Sequence, residues 1–77
     1  MIWVPVDSKM LSAVAYRADW HQLYLKYRSG DVYCYRGVPA KQYEELLAAD
    51  SKGKYVRQHI LNQYPYQRIH VAVRAAS

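Results

Sequence analysis

The chain has 77 residues, 52% apolar and 22% charged, a balance that suits one small folded domain and excludes a disordered tract. Eleven Lys and Arg against six Asp and Glu give a formal charge of +5. That field favours anionic partners, although ordinary solubility also suits it, since small domains commonly carry net charges of about 2–8.

No apolar run approaches the roughly 20 residues that span a bilayer, so no membrane partner is expected. The start, Met1-Ile2-Trp3-Val4-Pro5, lacks the basic and long apolar regions of a signal peptide. A single cysteine, Cys34, excludes an internal disulfide framework and suits a reducing compartment. Together these features predict a cytoplasmic protein. A single domain is expected over 1–77, with its core at about 4–69 and residues 70–77 as a tail or extra edge strand.

Ile2 to Val6 reads as a short strand, with Pro5 tolerated at an edge or an end. Leu11 to Arg17 reads as a second. There Ser12, Val14 and Tyr16 fall on one side and Leu11, Ala13 and Ala15 on the other, which requires a bulge or burial on both sides. Leu23 to Arg28 and Val32 to Arg36 then alternate around a Ser29-Gly30-Asp31 turn signal, a β-hairpin holding four of the nine tyrosines.

Parity decides what those tyrosines do. A three-residue loop with Gly30 at positive φ sets Leu25 opposite Tyr33 and Leu23 opposite Tyr35, placing both rings on the inner face with Tyr27. Tyr24, Lys26, Arg28, Val32, Cys34 and Arg36 then share the outer face. A two-residue loop moves Tyr33 and Tyr35 to the basic side. The first is preferred, because a glycine after a serine suits the bulge.

After Gly37 the period changes. Pro39 fits the first helical position, and Tyr43, Leu46 and Leu47 form an apolar stripe. Asp50-Ser51 ends this helix and offers a cap for a second, whose inward stripe is Tyr55, Val56, His59 and Ile60, with Lys54, Arg57 and Gln58 outward. Tyr64-Pro65-Tyr66 closes it, its rings expected in or beside the core. Ile69 to Arg74 alternates again, as a fourth strand against Ile2 to Val4, an edge for self-association, or a frayed tail. The fold class expected is α+β: an antiparallel meander of three to four strands with two helices on one face.

The order of these pieces resembles the KTSC domain, named for the C-terminal extension of some lysyl-tRNA synthetases and found also as a free-standing bacterial protein. The residues that carry the resemblance are Val6-Asp7-Ser8, Ala15-Tyr16, Leu23-x-Leu25-x-Tyr27-x-Ser29-Gly30, Tyr33-x-Tyr35 and Gly37-Val38-Pro39. They continue as Tyr43, Leu46-Leu47-x-Ala49, Ser51-x-Gly53-x-Tyr55, Ile60 and Tyr64-Pro65-Tyr66. The resemblance implies a small α+β domain of unknown molecular function, for which RNA binding has been proposed, and no catalytic residues. Lys9 stands where that family often has a second serine, Ala15 where glycine is common, and Tyr27 where phenylalanine is usual. The last substitution requires a hydroxyl partner or a place at the rim.

The strongest functional set is basic and aromatic: Tyr24, Lys26, Arg28 and Arg36 on the sheet, with Lys54, Arg57 and Arg68 from the second helix and its exit. Single-stranded RNA is held by phosphate contacts from Lys and Arg and by bases stacked on aromatic rings. The bland alternative is a solvated face whose rings pack on Lys and Arg stems. Cys34, His21, His59 and His70 stand alone, without the spacing of a metal site or a nucleophile and its base, so no metal, cofactor or enzymatic activity is expected. Glu44, Glu45 and Asp50 read as a solvated helix face.

A second class of function is a protein-interaction module, monomeric or weakly dimeric. It would dock on translation, transcription or phage machinery through Trp3, Trp20 or the edge at Ile69 to Val73. Trp20 has the alternative of folding as a lid over the open end of the sheet.

Overall fold

Alternation and turn chemistry set the sheet. The computed structural model describes residues 1–70. Five strands pair antiparallel in chain order: β1 (Val4–Pro5), β2 (Leu11–Arg17), β3 (Gln22–Tyr27), β4 (Val32–Arg36) and β5 (Tyr66–His70). Two helices, α1 (Ala40–Ala48) and α2 (Lys52–His59), intervene between β4 and β5. The class is α+β, with five strands where three to four were expected.

The hairpin adopts the three-residue loop. Tyr27 N donates to Asp31 O and Gly30 N to Tyr27 O, both at 2.9 Å, and Gly30 has φ 97°. Only glycine enters that region without a steric cost. Leu25 therefore pairs with Tyr33 and Leu23 with Tyr35.

In β2 the register shifts between Leu11 and Ala13. This bulge resolves the conflict in the alternation: Leu11 and Val14 are both fully buried in the same core cluster, although their spacing would put them on opposite faces of a regular strand. Ser8 prepares the entry to β2, its Oγ accepting from Met10 N at 3.1 Å and Leu11 N at 3.2 Å.

The inner face carries Leu11, Val14, Leu23, Leu25 and Tyr35, which form one cluster with Val38 and with Leu46, Val56 and Ile60 from the helical layer. Each such aliphatic side chain contributes about 1.5–3 kcal/mol on full burial. Ser51 caps α2, accepting from Lys54 N at 3.2 Å, as Asp50-Ser51 foretold. The Nζ of Lys52 donates to Leu47 O and Ala49 O, satisfying carbonyls left open at the end of α1. Gly53 lies against Met10, where an added Cβ would stand 3.4 Å from the Met10 Cβ.

Four expectations change. The strand expected over Ile2 to Val6 shrinks to Val4–Pro5, with one further backbone bond beyond it, Val6 N to Ser12 O at 3.2 Å. The last strand pairs with β4, Tyr35 against Tyr66, and not with Ile2 to Val4. The helices return the chain beside β4, and a strand bound for β1 would have to cross the whole sheet. Tyr66 consequently leaves the core and is 58% exposed. Finally, His59 and Leu47 are exposed; Val56 and Ile60 with half-buried Tyr55 form the inward side of α2, and Leu46 with half-buried Tyr43 that of α1. Val71 to Arg74 lie outside the described residues.

Candidate functional site

Register places the outer face in rows. Pro5, Ala13, Lys26, Val32 and His70 form one, Ala15, Tyr24, Cys34 and Gln67 the next, and Arg17, Gln22 and Arg36 the last. Ala15, Val32 and Cys34 are buried, so the charge of this face is carried by exposed Lys26 and Arg36 and half-buried Arg17.

Aromatic rings interleave with those cations. Trp3 meets Tyr24 edge to face, with centroids 6.4 Å apart at 79°. The guanidinium of Arg17 lies 4.0 Å from the centre of the Trp20 ring, a cation–π contact. Burial pushes the Tyr24 phenol up, the neighbouring Cys34 thiol adds to this, and Arg17 pulls the other way. The Tyr24 hydroxyl donates to Gln22 Oε1 at 2.9 Å. Trp20 is no lid: it stays 59% exposed under its guanidinium.

Arg17 is a cation of this face that the sequence reading did not include. Its signal was the bulge itself, because a shift after Leu11 turns Ala13, Ala15 and Arg17 to the side of Lys26.

The seven candidate binding residues do not form one surface. Tyr24, Lys26 and Arg36 share the outer face. Arg28 sits at the hairpin tip, its Nε donating to Ser8 O and its N–H to Met10 O at 3.0 Å. Lys54 and Arg57 are exposed on α2, in the layer on the opposite side of the sheet. Arg68 pairs in register with Tyr33 on β5 and is exposed.

Tyr33 and Tyr35 lie on the inner side. Tyr35 is 1% exposed, while Tyr33 is half-buried at the margin and contacts Tyr27, Tyr35 and Tyr66 with centroids 5.3, 6.3 and 5.6 Å away. Tyr16 stacks on Tyr43 at 5.1 Å and donates to Val38 O at 2.5 Å, pinning α1 to β2. Glu45 accepts from the Tyr55 hydroxyl at 2.8 Å, while Tyr55 packs on His59 at 4.5 Å.

The remaining polar candidates are dispersed. Cys34 is buried in β4, His21 lies in the β2–β3 turn at φ 51°, and His70 ends β5. Among the described residues, no group of three or more His, Cys, Asp or Glu is placed to hold a metal ion. No helix among them is long and apolar enough to cross a membrane.

Comparison with known proteins agrees with this architecture. A family model described as the KTSC domain matches residues 7–64, from the β1–β2 loop to the end of the helical layer. A protein of Tsukamurella paurometabola is 36% identical over 52 residues, covering 68% of this chain and 78% of that one. A lysine–tRNA ligase of Nostoc sp. is 33% identical over 63 residues, covering 82% of this chain but 11% of the ligase. The crystal structure of a KTSC domain protein from Yersinia pestis matches with a TM-score of 0.87 at 26% identity, covering 90% of this chain and 97% of that chain.

Proposed function

The chain belongs to the KTSC domain family, and from that premise we propose that it is a non-catalytic module that binds single-stranded RNA through the outer face of its sheet. The observation that carries this reading is the interleaving of cations and rings on the face opposite the helices: Arg17 over Trp20, Trp3 against Tyr24, and Lys26 and Arg36 in the flanking rows. Phosphates need Lys and Arg at groove spacing, and unstacked bases need aromatic faces. The net charge of +5 supports the same partner by drawing polyanions to the domain. Similarity to part of a lysine–tRNA ligase, a protein that handles RNA by name, adds support. On this reading the domain works where RNA is found, in the cytoplasm.

Phosphate contacts dominate such a face, so binding has weak sequence preference and steep salt dependence. The test compares two double variants by fluorescence anisotropy with a labelled oligouridylate. Lys26→Ala/Arg36→Ala removes two cations of the face; Lys54→Ala/Arg57→Ala removes two from the opposite layer. Arg28 is left intact because it also ties the β1–β2 loop to the hairpin. Loss of affinity in the first variant alone, with an unchanged fold, is the expected result. Equal loss in both would reduce the interaction to net charge. Absence of binding by the parent protein would end this reading in favour of a protein partner docked on Trp20.

A further inference from the structure

A shallow depression lies at the hairpin tip. A cleft of about 410 Å³ opens there between the β1–β2 loop and the β3–β4 turn, walled by Lys9, Tyr27, Arg28, Ser29, Asp31 and Tyr33.

Its chemistry is aromatic and cationic. The rings of Tyr27 and Tyr33 meet at 80° with centroids 5.3 Å apart, forming an aromatic corner. Lys9 and Arg28 contribute two positive charges to its lining and Asp31 one carboxylate. Arg28 donates its Nε to Ser8 O, and its guanidinium carries further N–H donors beyond that bond.

The walls are also fastened. Arg28 bonds to Ser8 and Met10, the residues on either side of Lys9, so the two loops are held together before any ligand arrives. A site formed in advance loses less on binding than one assembled by its ligand.

We propose that this cleft takes one unstacked nucleotide of a bound RNA strand, its base in the Tyr27–Tyr33 corner and its phosphate between Lys9 and Arg28. The inference rests on the RNA-binding reading above and extends it. Lys26, in the row of the outer face nearest the hairpin tip, stands two residues before Arg28. One strand thus passes from the sheet around the hairpin tip into the cleft. A guest with a flat heterocycle and a single negative group matches the corner and its pair of cations; an acidic peptide would match only the cations.

The test uses the full chain with a labelled oligouridylate of about twelve nucleotides, long enough to reach from face to cleft on the site sizes of single-strand binders. Lys9→Glu and Tyr33→Leu alter the cleft. The fold is checked by thermal denaturation, and Lys9→Glu serves alone if Tyr33→Leu is not folded. Loss of a stack weakens binding by about fivefold or more and is expected of Tyr33→Leu; Lys9→Glu, which sets a carboxylate against the phosphate, is expected to weaken binding by at least as much. Uridine monophosphate alone is expected to shift the amides of residues 9 and 27–33 and not those of the outer rows. If Lys26→Ala/Arg36→Ala weakens binding while both cleft variants bind as the parent does, the cleft is excluded and the face stands. If the parent binds no RNA, both proposals fall together.

Discussion

The phenol oxygens of Tyr27 and Tyr35 lie 2.9 Å apart, a hydroxyl pair that closes the inner face beside the leucines. Burial raises the pKa of both groups. Their mutual bond raises Tyr35 further and lowers Tyr27, as expected if Tyr35 donates and Tyr27 accepts. Among the described residues no buried side-chain oxygen or nitrogen lacks a partner, so this pair is needed for polar satisfaction.

That asymmetry makes the first prediction. Tyr27→Phe strands the Tyr35 hydroxyl in the core and costs about 1–3 kcal/mol. Tyr35→Phe frees the half-buried Tyr27 hydroxyl, which water can reach, and costs about 0.5–1.5 kcal/mol. Urea denaturation of both single variants and the double variant gives the coupling energy; equal single costs that simply add would show the bond to be incidental.

Gly30→Ala tests the loop that sets the face of every tyrosine in the hairpin. Its φ of 97° is outside the comfortable range of an L-residue, and the substitution is expected to lower stability by about 1–2 kcal/mol. A shifted urea midpoint without loss of cooperativity is the expected signature. No change would mean that the turn relaxes into another register.

Much of this architecture is legible in the chain because the controlling signals are local. Ser29-Gly30 selects the loop, and the loop fixes parity for Leu23, Leu25, Tyr33 and Tyr35. Ser51 announces its own cap. The unusual Tyr27 implies a hydroxyl partner, and it has one in Tyr35. What the chain hides is non-local. Nothing near Tyr66 says that it will return to β4, since that depends on how far two helices carry the backbone. The outer and helical cations look like one set in sequence, yet the sheet separates them. Arg17 was hidden for the opposite reason, a single bulge that reverses the side of three residues.

A third prediction concerns alkaline pH. Burial, with a further contribution from Glu45, pushes the Tyr55 phenol up from 10.0 to about 12. The folded state then holds this proton more tightly than the unfolded chain. The stability it contributes is complete below pH 10 and is lost as pH rises towards about 12. Urea midpoints on either side of pH 10 are expected to fall more steeply in the parent than in Tyr55→Phe. Parallel slopes would place the alkaline transition elsewhere.

The RNA-binding proposal makes a fourth, in salt. For single strands, log affinity falls against log salt with a slope of about −0.7 per phosphate contact. Lys26→Ala/Arg36→Ala should therefore flatten the slope by about 1.4. Weaker binding with an unaltered slope would assign these side chains to packing and not to phosphate.

The pairing of Tyr35 with Tyr66 has a temporal consequence. The other strand pairs are joined by short loops, whereas β5 reaches β4 only across both helices. Closing so long a loop is entropically slower than zipping a hairpin. With all five of its residues exposed, β5 should be the first to open in deuterium exchange. Until β5 docks, the backbone groups of β4 that it will pair with are left as an open sheet edge.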